Sequence, residues 1–107
     1  MNIKSLLEST NFPVREGWYI KPPKYPYITF NVNESVNCDD LGNKRYIEKN
    51  VEVNFYCESL EQKAIGLVEE VIKKFKVGYD KNTVYQNDCV LTYFNFILIE
   101  KEIAINE

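Results

Sequence analysis

Between Asn50 and Phe75 the chain switches from one hydrophobic period to another. Val51, Val53, Phe55 and Cys57 alternate with Glu52, Asn54 and Tyr56, the period of two that marks a strand with one buried face. From Ser59 onward the spacing becomes three and four. Leu60, Ala64, Leu67, Val68, Val71, Ile72 and Phe75 make an apolar stripe wide enough to cover a sheet. Ser59 and Gln62 have the spacing of a capping box, so the helix is predicted to begin at Ser59. Glu61 near its start and Lys73, Lys74 and Lys76 near its end suit the helix dipole. Glu69 and Glu70 face Lys73 and Lys74 at i+4, and Gly78 is a natural stop. On this reading Leu67 and Val71 are core.

The remaining elements extend or cover this strand–helix pair. Asn2 can cap a short helix through about Ser9, with Ile3, Leu6 and Leu7 on one side. Val14 to Ile20 reads as a strand weakened by Gly17. Pro22, Pro23 and Pro26 fall within five residues and exclude a central strand, so Lys21 to Pro26 is an extended connector rather than a ligand for aromatic-grooved modules. Tyr27 to Val32 alternates as a second strand, and Asn33 to Lys44 reads as a polar loop. Arg45 opens a long third strand that runs through Tyr56. Val77 to Tyr85 is a weaker strand, followed by a turn at Gln86-Asn87-Asp88. In the last strand, Cys89 to Ile99, Leu91, Tyr93, Asn95, Ile97 and Ile99 alternate with Val90, Thr92, Phe94, Phe96 and Leu98. Both faces are mostly apolar, so one should meet the helices and the other needs a second cover. The tail from Glu100 to Glu107 is half charged and is expected to fray. The order α-β-β-β-α-β-β predicts an α+β domain: a mostly antiparallel sheet of four to five strands, two helices on one face, and hairpins rather than long crossovers.

Composition narrows the classes. At 107 residues, 45% hydrophobic and 14% aromatic, the chain is expected to form one domain (1–107). A chain of this size can bury roughly two-thirds of its unfolded surface. The net charge is −3, and no Lys/Arg stripe with interleaved aromatics is present, which argues against tight nucleic-acid gripping. The N-terminus has no apolar core of a signal peptide, and no apolar run approaches the ~20 residues of a membrane span. Cys38, Cys57 and Cys89 form no CxxC pair, and the chain holds no His. They read as reduced thiols of a cytosolic protein.

The chemistry is mostly exclusion. Without His there is no His-based triad or metal site, and a Cys38 nucleophile would lack its base. No phosphate-cradling glycine motif occurs. Asp39, Asp40 and Asp88 are the one carboxylate set that could gather around Mg²⁺ for a metal-dependent nuclease, but adjacent Asp residues in a Gly/Asn-rich loop are more often turn formers. Neither a catalytic residue nor a cofactor is assigned.

The layout resembles that of small tail-completion, or tail-terminator, proteins of phages and prophages of Gram-positive hosts. The resemblance lies in the leading helix with Leu6-Leu7, in Pro13-Val14, and in Pro22-Pro23-Lys24-Tyr25-Pro26-Tyr27-Ile28-Thr29-Phe30. It continues through the polar loop with Asp39-Asp40, the strand Val51 to Tyr56, the helix from Ser59 and a closing strand around Tyr93-Phe94-Asn95-Phe96, reaching about Lys101. Cys57 stands where the family usually ends its third strand with Thr. The resemblance implies a virion structural protein made in the host cytoplasm and located in the tail and neck. It would form a homo-oligomeric ring, usually hexameric, that caps the tail tube protein and meets a neck or head-completion protein. DNA would only pass through the channel, and no membrane is involved. The candidate docking loop is Glu34, Asn37, Asp39, Asp40, Leu41 and Asn43. The candidate interface strand is Leu91, Tyr93, Phe94 and Phe96. A head-closure or connector-docking protein of the same neck region is the alternative.

Overall fold

Asn2 opens the first helix, α1 (Ile3–Glu8), as the sequence predicts. Its Oδ1 accepts the Ser5 N–H at 3.2 Å, satisfying one of the free amides of the first turn. Leu7 is the buried residue of this helix, and Asn11 in the left-handed region (φ 69°) turns the chain away after it. The computed structural model describes residues 2–38, 41–42 and 44–104, with 44 and 101–104 by backbone alone.

Next come β1 (Val14–Glu16), β2 (Tyr27–Cys38), β3 (Lys44–Cys57), α2 (Gln62–Lys73), β4 (Tyr79–Tyr85) and β5 (Val90–Ala104). They build an α+β fold with one five-stranded sheet in the order β1-β2-β3-β5-β4. Every pairing is antiparallel except β1 with β2. The sheet is therefore mixed, and two connections are crossovers rather than hairpins. One is the proline-rich connector between the parallel pair β1 and β2. The other is α2, which carries the chain past β5 so that β5 inserts between β3 and β4.

The helix-covered face is continuous across the strands. Phe30, Val53 and Phe94 form one row, and Val51 and Phe96 the next. Phe55, Phe94, Ile28, Ile72, Val53 and Val68 are fully buried, and burial of such side chains stabilises by about 1.5–3 kcal/mol each. Ile65, Val68, Val71 and Ile72 line the buried face of α2.

Leu67, expected in that face, is 53% exposed, and Ile65, left out of the stripe, is 3% exposed. The geometry of the helix explains both. At ~100° per residue, Ile65 lies ~60° from Val68, inside the stripe, whereas Leu67 lies ~100° away, outside it. Leu60 is also exposed. The capping box does not form. The helix begins at Gln62 with Glu61 at the cap and no side-chain bond there, because Ser59 and Leu60 are spent turning the chain off the end of β3. The helix also stops before Gly78, at Lys73, and Lys76 takes the left-handed turn (φ 56°).

Three strand limits differ from expectation. β1 ends at Glu16 rather than Ile20, because Gly17 (φ +90°) directs the chain away from the sheet. The predicted polar loop from Asn33 is strand as far as Cys38, paired with Arg45 to Asn50. The predicted fraying tail is strand through Ala104; residues 105–107 lie outside the described residues.

Candidate assembly and docking surfaces

Beyond the helices, β2, β3 and β5 run on as a three-stranded ribbon, which gives the molecule a long axis of 53 Å against 27 and 24 Å. This ribbon is polar because both its faces are clear of the core, so no alternation is required of it. Its cross-strand rows are tied by charge. The Lys49 ammonium lies 2.9 Å from Glu100 and 3.8 Å from Glu34. The hydrogen bond to Glu100, with Glu34 in support, raises the Lys49 pKa. Asn37 Nδ2 donates to Glu48 at 3.3 Å. Surface pairs of this kind contribute about 0–1 kcal/mol; their effect is on register.

Both ribbon edges are open among the described residues. β1 pairs with β2 only as far as Phe30, and β4 pairs with β5 only as far as Phe96. From Asn31 on one side and Ile97 on the other, the strands present unpaired backbone donors and acceptors. Ile97 and Ile99 are 45% and 63% exposed on the face away from the helices.

A concavity of about 590 Å³ crosses the sheet here, lined by residues of β2, β3 and β5 and by Val77 to Asp80 at the start of β4. Val77 and Ile97 are its more exposed apolar groups, and Glu52 and Asp80 its carboxylates. Among the described residues no cation lies within ion-pair distance of either carboxylate. Asn33, Asn50 and Asn95 add side-chain amides.

The opposite edge carries the connector. Gly17 N–H donates to Phe30 O at 2.9 Å, which sets Trp18 just outside β1. Trp18 is 76% and Ile20 85% exposed, and Arg15, Lys21 and Lys24 are exposed around them. Further on, the connector folds over one end of the open face. Tyr25 stacks on Tyr27 at 5.6 Å, Tyr19 meets it edge-on at 5.5 Å, and Tyr56 stacks beneath at 4.7 Å. Burial and the neighbouring Cys89 and Asp88 push the Tyr25 phenol up to about 12. Burial, with Tyr56 close by, raises Tyr27 as well. Tyr25 and Tyr27 are therefore neutral packing groups, and the cluster anchors the connector. Beside them, Asn54 Nδ2 donates to Thr29 Oγ1 at 3.4 Å, both residues being buried.

The residues picked from the sequence scatter across these surfaces. Glu34 and Asn37 are strand residues of the ribbon, not loop residues. Leu41 is 82% exposed at its tip; Asp39, Asp40 and Asn43 lie outside the described residues. The interface strand divides. Leu91 and Tyr93 are on the open face, but Phe94 and Phe96 are 0% and 4% exposed and belong to the core, because strand alternation sends them under α2. Trp18, Ile20 and the concavity were missed. A lone Trp after a glycine was a usable signal, but the concavity exists only through strands brought together from distant parts of the chain.

Little points to bond-making chemistry. Burial, chiefly, pushes the Cys57 thiol up to about 12, so it is a poor nucleophile. Asp88 sits at the β4–β5 turn, near the Tyr27 end of the sheet. Asp39 and Asp40, the other two carboxylates of the weighed metal set, lie outside the described residues. Among the described residues no cluster of three or more Cys, Asp or Glu could hold a metal ion. No helix among them is long and apolar enough to cross a membrane. Glu69 on α2 accepts from Lys81 at 2.8 Å and from Tyr79, which lowers its pKa and pushes Tyr79 up to about 12. This cluster ties α2 to β4.

No protein-family model matches the chain, and no curated protein matches it.

Proposed function

We propose that the protein is a non-enzymatic subunit of a phage tail, a tail terminator whose ring caps the tail tube and joins it to the neck. One observation carries this reading: a single elongated sheet with unlike open edges on opposite sides. Unlike edges favour heterologous, head-to-tail contact, which closes into a ring when the rotation per subunit is right. The layout resemblance supplies the tail as the place and six as the expected number of copies. The acidic balance of −3 suits a channel that DNA traverses without being held, since basic contacts are what grip phosphates.

Weak subunit contacts strengthen when all copies engage one tube end together, so a monomer or loose oligomer in dilute solution is expected to become a ring on the particle. The test is tube length. Tube protein polymerised with the purified chain is measured by electron microscopy. Tubes should stop elongating and carry a cap of density at one end. Tubes of unchanged length with no cap would refute the terminator role. The exposed Leu41 at the ribbon tip favours the second reading, a connector-docking subunit, which would bind neck protein and leave tube length unaltered.

A further inference from the structure

We infer that the free edge of β5 beyond Phe96 receives an extended segment of another protein. The segment adds as a further strand and directs a Lys or Arg into the concavity lined by Glu52 and Asp80.

The backbone supplies the place. β4 pairs with β5 as far as Tyr79↔Phe96 and stops there, whereas β5 runs on to Ala104. From Ile97 onward β5 has β3 on one side and, among the described residues, no strand on the other. Alternate residues of such an edge direct their N–H and C=O outward, the template on which extended peptides add to sheets. A segment laid antiparallel to β5 continues the line of β4 and ends beside Gly78. No atom lies within 4 Å of the point where a Cβ on Gly78 would stand, so a long side chain can pass over it. From the residue opposite Ile99 to Asp80 the distance along that line is ~13 Å or less, since twist shortens it. An extended Arg and the carboxylate close that gap between them.

The face beside this edge selects the occupant. Glu52, Asn95 and Asp80 share one cross-strand row, and Asn50–Ile97 and Glu48–Ile99 are the next pairs. The charged members of these rows are all carboxylates. Glu48 accepts from Asn37, but Glu52 and Asp80 have no cation within ion-pair distance among the described residues. Neighbouring cations are engaged elsewhere: Lys81 with Glu69, Lys49 with Glu100 and Glu34, and Arg15 over the Tyr19 ring at 6.0 Å. Lys76, at the turn after α2, does not line the concavity. A surface of this sign repels phosphates and acidic segments and attracts basic ones. Exposed Ile97 and Ile99 supply the apolar complement, and the alkyl stem of a Lys or Arg covers such groups while its head reaches a carboxylate. The added strand has an outer edge of its own, so on the ring reading it extends the joint between copies rather than blocking it. The site itself does not depend on that reading.

The probe is the peptide amide Thr-Val-Thr-Val-Thr-Arg, labelled with fluorescein at its N-terminus and titrated with wild-type protein by anisotropy. It should bind, more weakly as salt rises, and slow amide hydrogen exchange within Ile97–Ala104. Replacing its Arg by Glu should weaken binding about tenfold. Two N-methylated versions, one on the Thr nitrogens and one on the Val nitrogens, should differ, because only alternate N–H groups face the partner strand. The variant Glu52→Gln/Asp80→Asn, altered at two exposed positions, should retain binding and lose the preference for Arg over Glu.

No binding at millimolar peptide, equal binding of the Arg and Glu peptides, or an equal effect of the two methylation patterns would overturn the inference. So would protection appearing within Ile97–Ala104 on raising the concentration of the protein alone, which would give the edge to a second copy, or tight binding of an oligothymidine in competition with the peptide. Peptide binding as expected together with uncapped tubes would leave the site standing and remove the tail assignment instead.

Discussion

Replacing Ile65 by Ala and Leu67 by Ala should separate the buried and exposed sides of α2 by a wide margin. The two residues are neighbours on one helix, and both variants gain slightly in helix propensity, by at most about 0.5 kcal/mol. They differ in burial: Ile65 is 3% exposed and Leu67 53%. Ile65→Ala removes three buried carbons, about 2.5 kcal/mol of transfer free energy at ~0.8 kcal/mol each. The space left between α2 and the sheet adds a cavity cost, so a total of about 2–5 kcal/mol is expected. Leu67→Ala loses only the shielded half of its side chain, about 1 kcal/mol or less. The measurement is urea denaturation followed by circular dichroism. With a slope near ~1.5 kcal/mol/M, Ile65→Ala should lower the midpoint by about 2 M and Leu67→Ala by under ~0.7 M. A larger loss for Leu67→Ala would mean that the helix is rotated relative to the sheet and that the packing described above is wrong.

A charge introduced on β5 should read out its two faces: Phe94→Lys should abolish folding, whereas Ile99→Lys should leave a native circular dichroism spectrum and impair ring formation on tails. Equal tolerance of both would show that the face assignment fails. The Glu69 cluster predicts a pH signature. Its pKa is lowered in the folded state by Lys81 first and Tyr79 second, so its contribution is present above the unfolded value of about 4.3 and is lost as pH falls through the folded value. Glu69→Gln should therefore be less stable than wild type at pH 7, and the gap should close below about pH 4. A gap that stays constant down to pH 2 would rule out the charge-assisted bond as its source.

Local signals carried far in this chain. The alternation from Val51 to Cys57 and from Val90 to Leu98 assigns faces correctly, because a strand's period of two is a property of the backbone itself. The Asn2 cap and the order of elements follow equally from short-range chemistry. The helix stripe was legible in kind but misplaced in detail, since a set of apolar residues spaced three and four apart can be read about two adjacent axes. Ile65 shows that only the facing sheet selects between them.

Pairing partners, by contrast, are not written in any one strand. That β1 joins β2 in parallel, and that β5 inserts between β3 and β4, depends on where the crossovers land. The polar ribbon gave no hydrophobic signal because neither of its faces is buried, so Asn33 to Cys38 read as loop. The same holds for the assembly surfaces. The edges of β2 and β5 stay open because β1 pairs only as far as Phe30 and β4 only as far as Phe96. Local residue chemistry sets which residues prefer burial and where the chain turns. Which strand edges stay open, and which charges stand opposite one another at them, was decided by tertiary structure, because these are properties of neighbours brought together from distant parts of the chain.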